Sequence, residues 1–344
     1  MRSLIPPGGG LLGLIKPPAM TSHDLVALVR RRLGERRVGH CGTLDPAAAG
    51  VLPVLIGPAT RLAAYLSSLP KVYRAQVLFG LATTTADLAG EPLTRLAEPP
   101  AVDRPGLAAA VAALPGRRLQ RPPAYSARRV DGKRLYRLAR RRAVSEGELD
   151  RAARPIEIHD ATLLATGNLG WGEWRDWPVA RLAVGCSPGT YIREIAEGLG
   201  AAVGLPACLA FLVRQSCAGL TTGDCASVEA LAGAWSGRVD QRFPRAWRAP
   251  AAALRHLPAV GLDHQRALDV RHGRRIRLGP GAEYLPALDG AAPDPDGPLR
   301  LLDPAGRLLG IGVPVPAASP DEGGGGALEI RPRRVFPHSG EGGR

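Results

Sequence analysis

The stretch from Gly39 to Leu66 reads GHCGTLDPAAAGVLPVLIGPATRLAAYL, and its halves differ in character. The residues entering it, Arg36 to Pro46 (RRVGHCGTLDP), have turn chemistry and no apolar periodicity, which marks a loop of the kind on which function commonly sits. VLPVLIG (Val51 to Gly57) is a continuous apolar run, short enough to be a buried strand. A helix is expected from Ala59 to Ser67. Asp45 thus stands at the end of an irregular segment that feeds a buried strand. Taken alone, an Asp-Pro pair between glycines is a turn initiator.

Upstream, LLGLI (Leu11 to Ile15) reads as a short buried strand stopped by Lys16-Pro17-Pro18. Thr21 or Ser22 then caps a helix with Leu25, Val26, Val29 and Leu33 on one side and Arg30, Arg31 and Arg32 on another. Downstream, strands are expected at Val72 to Phe79, Pro155 to Thr166 and Trp174 to Val184. Helices are expected from Asp103-Arg104-Pro105 to Leu114 and from Thr190 to Leu199. Helices and strands interleave without a regular βαβ repeat, so the fold class is mixed α/β (α+β) around a largely antiparallel central sheet.

Composition shifts near Arg245 to Ala253. Beyond it, short apolar runs at Leu257 to Leu262, Ile276 to Leu278, Leu299 to Leu302 and Leu308 to Val313 are separated by Gly, Pro and Asp. That pattern predicts a small β-barrel. The chain divides accordingly into residues 1–250, residues 254–336 and a tail, 337–344, expected to be disordered. Pro314 to Gly326, ending in four glycines, reads as a flexible loop.

The chain has 45 Lys and Arg against 31 Asp and Glu, a net charge of +14, which favours a polyanionic partner. Only Lys16, Lys71 and Lys133 are lysines, and arginine's planar fork suits bidentate phosphate contacts. The richness in Ala, Gly, Pro and Arg is equally the mark of a genome high in G and C. Five cysteines form no C-x-x-C pair, so neither a zinc site nor a disulfide framework is expected, and the reducing cytoplasm is. No run of about 18 apolar residues occurs, and prolines and glycines break the N-terminal stretch, so neither a membrane span nor an export signal is expected.

Gly8, Gly10 and Gly13 satisfy G-x-G-x-x-G. A dinucleotide site needs a strand before that motif and a helix after it, and neither fits here. No G-x-S-x-G or H-E-x-x-H occurs.

Three further blocks accompany Gly39 to Leu66. They are KVYRAQVLFG (Lys71 to Gly80) with TTTADLAG (Thr83 to Gly90), QRPPAYSARRVDGKRLYRLAR (Gln120 to Arg140), and GCSPGTYIREIAEGLG (Gly185 to Gly200). In this order they resemble the TruB family of tRNA pseudouridine synthases, in its stand-alone bacterial form, from about Leu11 to Gly219. The resemblance continues more weakly to the C-terminus, where a PUA-like RNA-binding barrel is implied.

The resemblance implies a pseudouridine synthase fold and isomerisation of uridine 55 in the tRNA T-loop, without cofactor, metal or guide RNA, by a monomer. It implies that Asp45 is the nucleophile, attacking the ribose or the base, and that Arg193 orients it and lowers its pKa. Tyr73 would stack on the uracil and assist proton removal from carbon 5. His40 would fill the space left by the flipped nucleotide, Tyr191 and Leu212 would line the pocket, and Lys16 and Pro17 would lie beside it, the lysine anchoring phosphate.

Without the family motif, Arg193 reads as a surface arginine paired with Glu197, and Tyr73, Tyr191 and Leu212 read as core packing. Arg128, Arg129, Lys133, Arg134, Arg137, Arg140, Arg141 and Arg142 form a basic run suited to an RNA backbone or to a solvated helix face. Ala19, Cys41 and Ala49 depart from the usual family residues, as do Val213 and Gln215 in FLVRQSCAG. An RNA-folding protein without catalysis is the alternative of a different class.

Overall fold

The apolar runs flanking the Asp45 loop become neighbours in one sheet. β1 (Gly10–Lys16) pairs antiparallel with β3 (Ala49–Ile56), and the short β2 (Val38–His40) lies on the opposite edge of β3. The computed structural model describes residues 4–126, 128–141, 144–234, 236–279, 284–288, 294, 296–315 and 328–336.

Among these residues the sheet has ten strands. The others are β4 (Lys71–Phe79), β5 (Gly116–Gln120), β6 (Arg154–Asn168), β7 (Pro178–Cys186), β8 (Ala207–Cys217), β9 (Leu220–Thr221) and β10 (Trp247–Arg248). The order is β10-β1-β3-β8-β4-β7-β6-β5, with β2 on β3 and β9 on β8. Every pairing in it is antiparallel except β3 with β8, which run parallel through Ala49–Val213 and Gly50–Arg214. At that junction Gly50 has a φ of 113°, and a Cβ there would collide with the backbone of Arg214. Only glycine tolerates both conditions.

Three helices cover one face of the sheet. α1 (Ser22–Leu33) buries Leu25, Val26, Val29 and Leu33 against Leu12, Leu14, Leu52 and Val54. α2 (Arg104–Ala112) and α3 (Ile192–Ala202) bury Leu107, Val111, Ile195 and Leu199 against Ala75, Val77, Leu182 and Val184. The parallel junction lies between these groups, and the loop carrying Asp45 enters the sheet there.

Most expected elements form with boundaries shifted by a few residues. The helix expected from Ala59 is first a 3₁₀ turn, Gly57–Leu62, and α-helical only over Ala63–Ser67. Gly57 is left-handed at φ 66° and Pro58 follows it, a tight entry that favours the 3₁₀ form. The strand expected from Trp174 starts at Pro178, because Trp174 and Trp177 turn inward and pack edge to face, 5.0 Å apart. The basic run is a hairpin, Arg129–Val130 with Lys133–Arg134, closed by Asp131 and Gly132 at positive φ and followed by the helix Leu135–Ala139. Asp-Gly is the sequence such two-residue turns prefer. Arg142 lies outside the described residues.

The C-terminal runs form a second sheet, with the order Ile276–Leu278, Leu328–Val335, Leu308–Val315, Leu299–Leu302, Ala259–Gly261 and Tyr284–Leu285. The small barrel expected here is a curled half-barrel of PUA-like form. Pro314 and Val315, expected in a loop, continue a strand. The rest of that loop to Gly326, and the tail 337–344, lie outside the described residues. This sheet packs on the back of the first one: Leu254, Leu302, Leu308, Ile311 and Phe336 share a cluster with Leu11, Cys41, Val51, Leu55, Leu62 and Leu66. No described helix is long and apolar enough to cross a membrane.

Candidate active site

Five consecutive carbonyls in the Asp45 loop each accept a hydrogen bond. Arg214 donates from Nη2 to Gly42 (3.1 Å) and from Nη1 to Thr43 (3.3 Å), and the Ser22 hydroxyl donates to Leu44 (3.2 Å). The Ala48 amide donates to Asp45 (3.1 Å), and Lys16 Nζ donates to Pro46 (3.2 Å). The Leu44 amide returns a bond to Ser22 Oγ at 2.9 Å. A segment without helix or ladder is therefore held as firmly as one, since its polar groups are paired one by one.

Two of these donors are fully buried cations. Arg214 is 1% exposed and also donates from Nε to Val51 at 2.9 Å. Lys16 is 0% exposed, and its remaining donors go to Pro17 (2.8 Å) and Met20 (2.7 Å). An ammonium has three N–H groups, so Lys16 is fully engaged as a clamp between the 17–20 turn and Pro46. This replaces the expected role of phosphate anchor. Burial lowers its pKa to about 8, with Asp45 opposing the shift and Arg214 adding to it. Pro17, half-buried, makes the turn that Lys16 closes.

The aim of the loop is set from α3. Arg193 Nε lies 3.0 Å from Asp45 Oδ2 and 4.0 Å from Asp87 Oδ2. Its Nη1 donates to the Thr85 carbonyl (2.9 Å) and its Nη2 to that of Tyr125 (3.1 Å). Far from being a surface arginine, Arg193 joins three segments that are remote in sequence. Asp87 is fixed in turn by the Thr85 hydroxyl (2.6 Å) and the Ala89 amide (3.1 Å).

Arg193 was expected to lower the pKa of Asp45. It does pull in that direction, as does Lys16, but burial is larger and Asp87 adds to it, so the net shift is upward. The Asp45 side chain keeps 39% of its surface open, so the carboxylate remains reachable from solvent.

Tyr73 lies directly across from Arg214 in β4 and is buried beside Leu44 and Leu212. Burial raises its phenol to about 12, so it enters the site as a neutral ring. Leu212 sits opposite Ala75 on the same face. Tyr191 caps α3 and is locked by Gln120, which accepts from its amide (2.8 Å) and donates to its carbonyl (3.0 Å). His40 is half-buried at the end of β2, 6.0 Å from the ring of His23. Burial first, then His23 and Arg214, lower its pKa and keep it neutral. Among the described residues no group of His, Cys, Asp and Glu is arranged to hold a metal ion.

The model of the TruB family pseudouridylate synthase N-terminal domain matches residues 30–192. A tRNA pseudouridine synthase B from Symbiobacterium thermophilum is 42% identical over 266 residues, 77% of this chain and 82% of that protein. One from Gloeobacter violaceus is 43% identical over 270 residues, 78% and 86% of the two chains. The chain belongs to the TruB family. A Cbf5–Nop10–Gar1 complex contains a chain of the same fold, with a TM-score of 0.67 and 23% identity, covering 95% of this chain and 85% of that one.

Within this TruB fold, three contributors to the site were not identified from sequence. Arg214 sits in the segment that departs from the family pattern, yet it holds the carbonyls of Gly42 and Thr43 in the Asp45 loop and that of Val51 in the strand after it. Asp87 lies in the TTTADLAG block, where the signal was a lone carboxylate among turn residues. Ser22 read only as a helix cap.

Proposed function

We propose that this TruB-family enzyme converts uridine to pseudouridine at position 55 in the T-loop of tRNA, with Asp45 as the nucleophile. The observation that carries the reading is the 3.0 Å contact between Asp45 Oδ2 and Arg193 Nε; in this reading Tyr73, Tyr191 and Leu212 line the place of the uracil. The reaction breaks the bond from N1 to the ribose, turns the uracil, and joins carbon 5 to the ribose; carbon 5 loses a proton and N1 gains one. Atoms in and out are the same, so no cofactor is called for.

An ionised carboxylate can attack the anomeric carbon, as in glycosidases, or the base itself. Arg193 holds it in one orientation and favours its ionised form. Tyr73, a neutral ring, offers a stacking face for the uracil. A T-loop uridine must leave its stack to reach Asp45, at a cost of about a few kcal/mol, and in this reading the uncharged His40 occupies the gap.

The exposed Arg129, Lys133, Arg134, Arg137, Arg140 and Arg141 face an RNA backbone in this reading, with the PUA-like residues 254–336 as a second RNA contact beside the catalytic residues 1–250. The enzyme acts as a monomer in the cytoplasm without guide RNA. The test is incubation with an unmodified tRNA transcript, no cofactor or guide added, and mapping of pseudouridine at single-nucleotide resolution. Product at position 55 that vanishes in Asp45→Asn supports the reading; tight binding without product would favour an RNA-folding protein.

A further inference from the structure

Ser126 stands in the PPAYSA segment, next to the Tyr125 carbonyl held by Arg193, and has no place in the chemistry above. The residue is 4% exposed, and its Oγ is buried with no hydrogen-bond partner. A buried hydroxyl without a partner destabilises a fold and calls for an explanation.

Slack in the chain does not explain it, because the backbone is pinned on both sides. Arg193 Nη2 holds the Tyr125 carbonyl at 3.1 Å, and the Tyr136 amide donates to the Ser126 carbonyl at 3.0 Å. The Tyr191 phenol is near it: burial raises the pKa of that phenol, and the Ser126 hydroxyl, then Arg128 and Arg193, oppose the rise. The two hydroxyls are therefore close, but they do not meet in standard hydrogen-bond geometry. Tyr191 is itself fixed at its backbone by Gln120, which leaves its ring as the adjustable part.

We propose that Ser126 is a positioning residue for the flipped uridine: when the nucleoside enters, the Tyr191 ring settles against it and its phenol closes a hydrogen bond with Ser126 Oγ. A hydroxyl both donates and accepts, so this bond forms whichever way the phenol hydrogen points. The bond exists only with the base in place, so it orients the reacting base rather than adding to tRNA affinity, which comes from backbone contacts. The inference rests on the pocket proposed above.

The test compares Ser126→Ala, Tyr191→Phe and the double variant by steady-state kinetics on tRNA transcript and by thermal denaturation. Ser126→Ala is expected to lower kcat on the order of tenfold, the worth of one hydrogen bond, with KM for tRNA unchanged. Its melting temperature should equal or exceed that of the wild type, because an unpaired buried polar atom has gone. In the Tyr191→Phe background the same substitution should cost nothing further.

A wild-type kcat in Ser126→Ala, an equal loss in both backgrounds, or a fall in melting temperature would each overturn the inference. Should alanine disturb the segment, Ser126→Cys, similar in size with only a weak donor, gives the same readout. Asp45→Asn is run alongside. If it is inactive while Ser126→Ala is unaffected, only the Ser126 role fails; if it is active, the proposed function fails.

Discussion

Arg193 meets Asp45 through its Nε, 3.0 Å from Oδ2, which leaves both terminal nitrogens of the guanidinium for the carbonyls of Thr85 and Tyr125. The side chain that aims the Asp45 carboxylate is thus itself aimed by two backbone groups. Rotation about its terminal torsions would break three contacts at once. The site is held rigid by its supports, in keeping with preorganised catalytic groups.

Asp45→Asn should abolish pseudouridine formation while tRNA binding persists, as measured by product mapping and filter binding. It should also make the protein more stable at neutral pH. The pKa of Asp45 is raised above its unfolded value, so the ionised carboxylate lowers stability as pH rises from about 3.8 through the folded pKa. Neutral asparagine escapes that loss. Denaturant unfolding at pH 7, with a midpoint below that of the wild type, would contradict this.

Asp87→Asn removes a like charge that raises the pKa of Asp45 while keeping an oxygen for Thr85 and the Ala89 amide. With Asp45 as the proposed nucleophile, the acid limb of the kcat/KM profile should report its ionisation in the free enzyme. That limb should move to lower pH in the variant. A shift to higher pH would mean that Asp87 acts by orienting Arg193 and not by its charge.

Arg214→Met strips donors from the carbonyls of Gly42, Thr43 and Val51. Each buried carbonyl left unpaired costs about 1–3 kcal/mol, partly offset because a buried charge disappears too. A net loss of about 3 kcal/mol is expected in chemical denaturation, together with a lower kcat as the Asp45 loop loosens. Arg214→Lys should recover only part of either, because an ammonium cannot span three carbonyls in one plane.

Ala19 is left-handed, at φ 61°, where alanine is strained by about 1–2 kcal/mol and glycine is not. Ala19→Gly should stabilise the protein by roughly 0.5–1 kcal/mol once the greater freedom of glycine in the unfolded chain is set against that relief. Activity should be unchanged. The denaturation midpoint of the variant is the check.

Replacing Arg134, Arg137 and Arg140 together by glutamine should weaken tRNA binding across all sequences. It should also make log affinity less steep against log salt, by about one unit of slope for each phosphate no longer neutralised. All three surround the Tyr136 ring on an exposed face. An unchanged salt slope would place the RNA elsewhere.

Much of this was legible in the chain alone. Turn residues around Asp45, apolar runs on either side and the blocks around Tyr73 and Arg193 specified a mixed sheet, a candidate nucleophile and its partners, because local chemistry and family motifs are both written in sequence order. β8 was not legible: ACLAFLVRQSC is buried on both faces near the middle of the sheet, so it has no alternation to read. With it went the role of Arg214, which lies in the segment that departs from the family pattern.

What only the tertiary structure decided is the balance of forces at the site. Sequence indicated an arginine beside Asp45 and therefore a lowered pKa. Burial, the second carboxylate of Asp87 and the distance to each cation depend on where three remote segments meet, and together they reverse the sign. Lys16 changed role for the same reason. Its charge is a property of the residue, but the three carbonyls that engage its N–H groups come from turns 17–20 and 42–46, brought together only when β1 and β3 pair.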